Sequence, residues 1–341
     1  MSKFVRSGFE DLPSVSIIIP TFNSSRTLGL CLKSIFCQDY PRGKVEVIIA
    51  DGGSTDGTVK IAMGYGVDKI LKNPLRTGEA GKAIGFRNAS NDIIAFIDSD
   101  NVLPEKNWLK RMVRPFEVDS IAGSEPLYFA YRRDDSSINR YFALIGMNDP
   151  LCLFIGNYDR YSYLTDKWTG LNVRWQDVGD YLILKLDERA LPTVGANGFL
   201  VRKGLVNECL MGEYLFDVDL VYELVSKGHN EFAKVKTEIF HLYSDSITTF
   251  LGKQMRRISH YAKYKRLGLR KYPWSNLGRL GLIKFISFTL LMLPLLVQTV
   301  RGYLRKKDRA WVFHPIACWV TLLAYGWAML QGYSLRKDLW R

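Results

Sequence analysis

The chain has 341 residues, 47% hydrophobic and 24% charged, with a formal net charge of +13. That length suits one large domain with an appendage, or two smaller ones. The charge is unevenly placed: residues 251–341 hold 18 Lys and Arg against two acids, while the first 250 positions hold 29 basic and 32 acidic residues. Cations bordering apolar runs point to a membrane surface and argue against a nucleic-acid-binding protein. The five cysteines, Cys31, Cys37, Cys152, Cys209 and Cys318, are scattered without a CxxC pair. This argues against a disulfide framework and a cysteine metal centre, and the expectation is reduced thiols in a cytoplasmic compartment. Residues 1–13 are charged and lack an apolar core of signal-peptide length.

Between residues 15 and 100, short apolar runs alternate with helical patterns. The run 15–19 ends at Pro20, as a buried strand does. Asn23, Ser24 and Ser25 offer caps for a helix whose apolar positions Leu28, Cys31, Leu32, Ile35 and Phe36 recur at three-and-four spacing. Strands are expected at 45–50, 67–71 and 93–97, with a short helix before the second and a helix at 79–90 before the third. This order predicts a parallel sheet covered on both faces, joined by right-handed crossovers. Ligands in such sheets bind past the carboxyl ends of the strands, here after Ile19, Ala50 and Ile97.

Beyond residue 104 the pattern loosens. Helices are expected at 107–115, 138–147 and 217–227, the last closed by Gly228. A loop at 191–202 leads into a strand, and 231–238 alternates like another; 158–187, rich in Tyr, Trp and Asp, resists assignment. Residues 247–267 predict an amphipathic basic helix with Ile247, Phe250, Leu251, Ile258, Tyr261 and Ala262 on one face, either lying in the headgroup region or packed on the domain. Residues 311–335 carry no charge, and 285–300 form a shorter uncharged run that 280–283 extends if Lys284 snorkels. Two spans, about 280–300 and 311–333, form the expected hairpin, with Pro294 placed to kink the first. The loop 301–310, with five basic residues and one acid, resists translocation, so a hairpin that enters without crossing is the alternative.

Two segments carry chemistry. Asp51-Gly52-Gly53-Ser54-Thr55-Asp56-Gly57-Thr58 follows a strand, and its glycines let backbone approach a ligand while a carboxylate accepts from a base or ribose. Asp98-Ser99-Asp100 follows another, with both carboxylates on one side of an extended stretch, a hard donor set for Mg²⁺ or Mn²⁺. Alone, each also reads as a solvated turn.

With Val15-Ser16-Ile17-Ile18-Ile19-Pro20-Thr21-Phe22-Asn23, Gly81-Lys82-Ala83 and Arg87-Asn88, they resemble the family 2 glycosyltransferases over about residues 15–265. The resemblance implies a GT-A fold, a Rossmann-like α/β domain with a mostly parallel mixed sheet and helices on both faces. That domain would occupy 1–245, its nucleotide-sugar half about 15–125 and its acceptor half about 126–245. A basic interfacial helix and linker at 246–275 and the membrane hairpin at 276–341 would follow. The resemblance also implies roles. Pro20, Thr21, Asn23, Asp51 and Gly53 would line the nucleotide pocket, with Lys82 or Arg87 on phosphate. Asp98 would meet ribose or metal, and Asp100 and His241 would ligate metal. Gly195, Asn197 and Gly198 would flank sugar and acceptor. Asp217 in Phe216-Asp217-Val218-Asp219-Leu220 aligns with the catalytic base, beside Asp219, although Phe216 replaces the family's Glu; Glu213 is the competing base. Gln254, Arg256 and Arg257 resemble a Gln-x-x-Arg element without the Trp of processive synthases.

The implied activity is inverting, metal-dependent transfer from a nucleotide sugar, a UDP-sugar ahead of a GDP-sugar, to a membrane-associated, polyprenyl-linked acceptor. The expected location is an integral membrane protein with its catalytic domain in the cytoplasm. The rival readings are a polyprenyl-phosphate glycosyl synthase and a non-catalytic nucleotide-sugar-binding scaffold. A dinucleotide oxidoreductase is disfavoured, since no Gly-x-Gly-x-x-Gly follows the first strand.

Overall fold

The structure, a computed structural model, describes residues 12–209, 212–274 and 278–338, with side chains to residue 330. The charged N-terminal stretch before residue 12 and the end of the chain after residue 338 lie outside the described residues. The chain forms two compact units: residues 1–127, 173–188 and 194–241 make the first, and 128–172, 189–193 and 242–341 the second.

The elements run β1 (Val15–Thr21), α1 (Ser25–Phe36), β2 (Val45–Asp51), α2 (Thr58–Gly64), β3 (Lys69–Lys72), α3 (Gly78–Asn88), β4 (Ile93–Phe96), β5 (Asn101–Val102), α4 (Trp108–Val113) and β6 (Ile121–Ala130). Helices α5 (Ser137–Ile145) and α6 (Leu151–Ile155) follow in the second unit. The chain then returns with β7 (Arg174–Asp177), β8 (Tyr181–Lys185), β9 (Phe199–Arg202), α7 (Lys203–Asn207), α8 (Asp217–Ser226) and β10 (Glu231–His241). It ends with α9 (Ile247–Arg266), α10 (Arg279–Leu291), α11 (Leu293–Arg305) and α12 (Phe313–Asp338).

The first unit is built on one sheet in the order β3-β2-β1-β4-β9-β6-β10-β8-β7, with β5 pairing β10. Strands β3, β2, β1 and β4 pair in parallel; β4 with β9, β9 with β6, and β10 with β8 and β5 run antiparallel. The continuous apolar runs account for the parallel half: β1 and β4 are buried at every position. Each fully buried Val or Ile contributes roughly 1.5–3 kcal/mol. Helix α3 lies close against β1 because Gly81 and Gly85 face it; a Cβ on Gly85 would meet Ile18 at 2.3 Å, and one on Gly81 would meet Pro20 at 2.7 Å. Segment 158–187, which the pattern left open, ends in the hairpin β7–β8, whose first strand is exposed throughout.

The second unit has an aromatic core, with Tyr141 and Phe142 of α5, Phe250 of α9, and Trp311 and Phe313 all buried. The buried stripe of α9 is Phe250, Gln254 and Tyr264 rather than the expected apolar set, for Ile247 and Leu251 are 47% and 40% exposed. Gln254 is buried because its amide donates to Thr321 of α12 at 3.2 Å and its oxygen accepts from Arg257 at 3.1 Å. The segment expected as a first span kinked at Pro294 is two helices: α10 and α11 meet at Met292, φ 59°, bent by 95° just before Pro294. Among the described residues, by length and composition, Arg309–Leu330 alone suffices to cross a membrane, and α10 with α11 qualifies only as a broken span or re-entrant pair.

Candidate active site

The carboxyl ends of β1 and β2 are in register, Thr21 opposite Asp51. The Asp51 carboxylate accepts from Thr21 Oγ1 at 2.9 Å, Ser54 Oγ at 2.6 Å, and the backbone N–H groups of Gly53 and Ser54 at 2.9 and 2.8 Å. Burial pushes this carboxyl up, but the bonds from Ser54, Thr21 and Gly53 outweigh it and hold Asp51 below its ordinary value. A carboxylate has about four lone-pair sites, so in this state Asp51 is spent on shaping the loop. Asn23, in the left-handed region at φ 49°, ties the β1 loop to the β2 loop: its Oδ1 accepts from Thr55 N at 2.9 Å and its N–H donates to Ser54 Oγ at 2.8 Å. Beside this loop Phe22 stays 46% exposed, with the Arg76 guanidinium 6.0 Å from its ring centroid.

Lys82 is the centre of the site. It is carried on α3 and almost fully buried; its Nζ lies 2.8 and 2.7 Å from the two Asp217 oxygens and 3.4 Å from Asp98 Oδ1. Burial disfavours its charge, and the carboxylates of Asp217 and Asp98 more than reverse that, holding the ammonium above its ordinary range. Asp217 opens α8, where the helix dipole favours a carboxylate. Burial nonetheless pushes its carboxyl up to about 6, with Lys82 pulling the other way and Asp98 adding to the rise. Asp219, two residues further in the same first turn, is buried, whereas Glu213 is exposed.

A second cluster adjoins the end of β4. Strand β5 pairs with the end of β10, Asn101 opposite His241, and this places His241 Nε2 3.5 Å from Asp100 Oδ2. Among the described residues no group of three or more His, Cys, Asp or Glu is arranged to hold a cation. A carboxylate oxygen and an imidazole nitrogen at this separation nevertheless fit one Mn²⁺ or Mg²⁺ whose remaining positions go to phosphate and water, the usual division for these ions.

The loop before β9 closes the site from the other side. Gly195, φ +130°, presses on the start of α8, and a Cβ there would meet the Asp217 carbonyl oxygen at 2.6 Å. Buried Asn197 accepts from Asn101 Nδ2 at 3.1 Å, and Gly198 N donates to the Phe96 carbonyl at 3.1 Å. Sequence reasoning missed Glu125 on β6, which accepts from Gly195 N at 3.0 Å and pairs with Lys234 of β10, both side chains buried. Its one signal is a carboxylate inside the largely apolar run of β6.

Some expected residues are not brought into these clusters. Arg87 is exposed at the end of α3 and donates to the Gly212 carbonyl. Gln254 and Arg257 are engaged within the second unit, Arg257 with the Asn148 carbonyl at 3.0 Å and Asp149 at 3.4 Å, and Arg256 is exposed.

The profile of Glycosyl transferase family 2 matches residues 16–208. The chain is 31% identical over 144 residues to Glycosyltransferase AglE of Haloferax volcanii, covering 40% of this chain and 46% of that protein. It is 32% identical over 109 residues to dolichyl N-acetyl-alpha-D-glucosaminyl phosphate 3-beta-D-2,3-diacetamido-2,3-dideoxy-beta-D-glucuronosyltransferase of Methanococcus voltae, covering 30% and 34%. The chain thus matches less than half the length of these relatives. Among solved structures, mannosyltransferase PcManGT of Pyrobaculum calidifontis, in complex with GDP-Man and Mn²⁺, superposes with a TM-score of 0.54 at 15% identity, over 96% of this chain and 91% of that one. The mixed α/β sheet with helices on both faces is a GT-A fold. The chain belongs to Glycosyl transferase family 2.

Proposed function

We propose that this chain is an inverting, metal-dependent glycosyltransferase that moves a sugar from a UDP- or GDP-sugar to a lipid-linked acceptor at a membrane, its catalytic unit on the cytoplasmic side. The observation that carries the reading is the Lys82–Asp217–Asp98 cluster on the same sheet edge as Asp100 and His241. An acceptor hydroxyl oxygen attacks the anomeric carbon, its proton passes to an Asp217 oxygen, and the bond to the nucleoside diphosphate breaks with its electron pair left on the diphosphate. Lys82 holds Asp217 ionised until then and places positive charge beside the departing phosphate. Asp100 and His241 would hold the divalent cation, which when bound supplies further positive charge to the diphosphate. Exposed Phe22 offers a flat apolar surface beside the Asp51 loop for the nucleotide base.

One observation favours a second reading. Both Asp217 oxygens are bound by Lys82, which suits a polyprenyl-phosphate acceptor, already anionic and needing little base help. Transfer of radiolabelled sugar into a lipid fraction, measured for wild type and Asp217→Asn, separates the two. A base role predicts turnover lowered by about 10²–10⁴-fold with donor affinity retained; near-normal turnover selects the phosphate acceptor. Absence of lipid-soluble product with every donor tried contradicts both.

A further inference from the structure

The second unit contains a cavity of about 510 Å³ whose lining includes Phe154, Leu164, Lys167, Lys284, Gln298 and Arg301. One wall is apolar. Phe154 of α6 packs edge-on against Phe285 and Phe288 of α10, with ring centroids 5.3 and 5.8 Å away. The charged part is one-signed: three cations line the cavity and no carboxylate does. Elsewhere in the same unit Arg140 and Arg257 pair with Asp308 and Asp149. Among the described residues, Lys167 and Arg301 make no ion pair, and Lys284 has only the Phe288 ring, 5.2 Å away.

A neutral donor completes the lining. Tyr141 OH lies 2.7 Å from His314 Nδ1, and His314 Nε2 lies 2.9 Å from Gln298 Oε1. The Gln298 oxygen can only accept, so His314 Nε2 carries the proton and donates to it, and Nδ1 accepts from the tyrosine hydroxyl. That leaves the Gln298 amide N–H groups as donors fixed by a relay from the buried core.

Lys284 and Arg301 belong to α10 and α11, whose remaining surface exposes Leu280, Ile283, Leu290, Leu293, Val297 and Val300. Cations in segments facing hydrocarbon are costly unless a counter-charge meets them, and basic pockets between membrane helices take lipid head groups. We infer that this cavity binds the phosphate of a membrane lipid, its hydrocarbon chain lying along the exposed leucines and valines of α10 and α11. Lys167, Lys284 and Arg301 neutralise the phosphate, and Gln298 donates to one of its oxygens. The inference rests on the proposed reading of the chain as acting at a membrane, with α10–α12 as its membrane segment.

The test uses the full chain in a neutral detergent, with native mass spectrometry reading bound lipid. The probes are dioleoyl phosphatidic acid, a polyprenyl monophosphate, phosphatidylcholine and inorganic phosphate. The expected result is saturable binding of the two phosphomonoester lipids, with phosphatidylcholine and inorganic phosphate at least tenfold weaker. The double variant Lys284→Gln/Arg301→Gln, and separately Gln298→Glu, each lose at least tenfold in lipid affinity; Lys167→Gln, outside the helices, weakens binding without touching their packing. Undiminished binding in all three variants, or inorganic phosphate binding as tightly as the lipids, overturns the inference. Extraction of the chain by buffer without detergent overturns the membrane placement and the inference together. A chain that needs detergent yet binds neither phosphate lipid sinks the inference alone.

Discussion

At the scale of single residues, the site turns on two opposed effects at Asp217. Burial pushes its carboxyl up to about 6, while Lys82 pulls it down. A base must be ionised to accept a proton, so kcat/KM should fall tenfold per pH unit below about 6 and level off above it. Replacing Lys82 by Met removes the pull and leaves the burial, so the acid limb should move to higher pH while maximal turnover drops. A pH–rate profile of the two proteins checks this; an unshifted limb in Lys82→Met would detach the limb from Asp217. Both partners were legible in the sequence, because each lies in a segment that resembles the family, Gly81-Lys82-Ala83 and Phe216-Asp217-Val218-Asp219-Leu220. Their direct contact was not, since it joins positions 82 and 217 through the packing of α3. Glu125 was illegible for a related reason: a buried charge is tolerable only with its partner, and Lys234 lies on a different strand.

At the scale of elements, Glu46 shows how the parallel half of the sheet is held together. It accepts from Ser16 Oγ on β1 at 2.5 Å and from Ser90 N before β4 at 2.9 Å, and pairs with Lys69 of β3 at 2.6 Å. Burial raises its carboxyl, and these partners outweigh it, holding Glu46 down to about 2 against an ordinary 4.5. A carboxyl depressed on folding stabilises above its unfolded value, and that stability is lost as pH falls through about 2; the shift corresponds to about 3 kcal/mol. Thermal unfolding between pH 5 and 3 should therefore be flatter in Glu46→Gln than in wild type. Parallel slopes would show that Glu46 is not the titrating group. Gly85→Ala should lower stability by roughly 1–3 kcal/mol through its clash with Ile18, read as a lowered Tm. The parallel strands were legible because buried runs such as Ile17–Ile18–Ile19 need no partner to be recognised. The hairpin β7–β8 was not, because Arg174, Trp175, Gln176 and Asp177 are all exposed and carry no alternation.

At the scale of the whole molecule, the charge map and the apolar helices point the same way. The acidic first 250 residues hold the sheet, and the basic remainder holds α9–α12. Helices α10 and α11 expose large apolar residues, Leu280 at 82% among them, which supports the proposed membrane placement. The full chain should stay with membranes through an alkaline carbonate wash; release into the supernatant would contradict anchoring. The sequence pointed to an apolar first span over about 280–300 with a kink at Pro294, but not to a bend as large as 95°, because its size depends on a local backbone event. Pro294 was its visible marker; the left-handed Met292 was not.

The central claim is nucleotide-sugar chemistry at Asp100 and Asp217, and nucleoside diphosphate release tests it most directly. Detergent-purified protein is given a panel of UDP- and GDP-sugars with a polyprenyl lipid extract, with Mn²⁺, Mg²⁺ or chelator, beside Asp100→Ala. The account predicts release from one donor, stimulated by lipid, abolished by chelator and lowered at least 100-fold in the variant. Release that persists in Asp100→Ala or in chelator would contradict it.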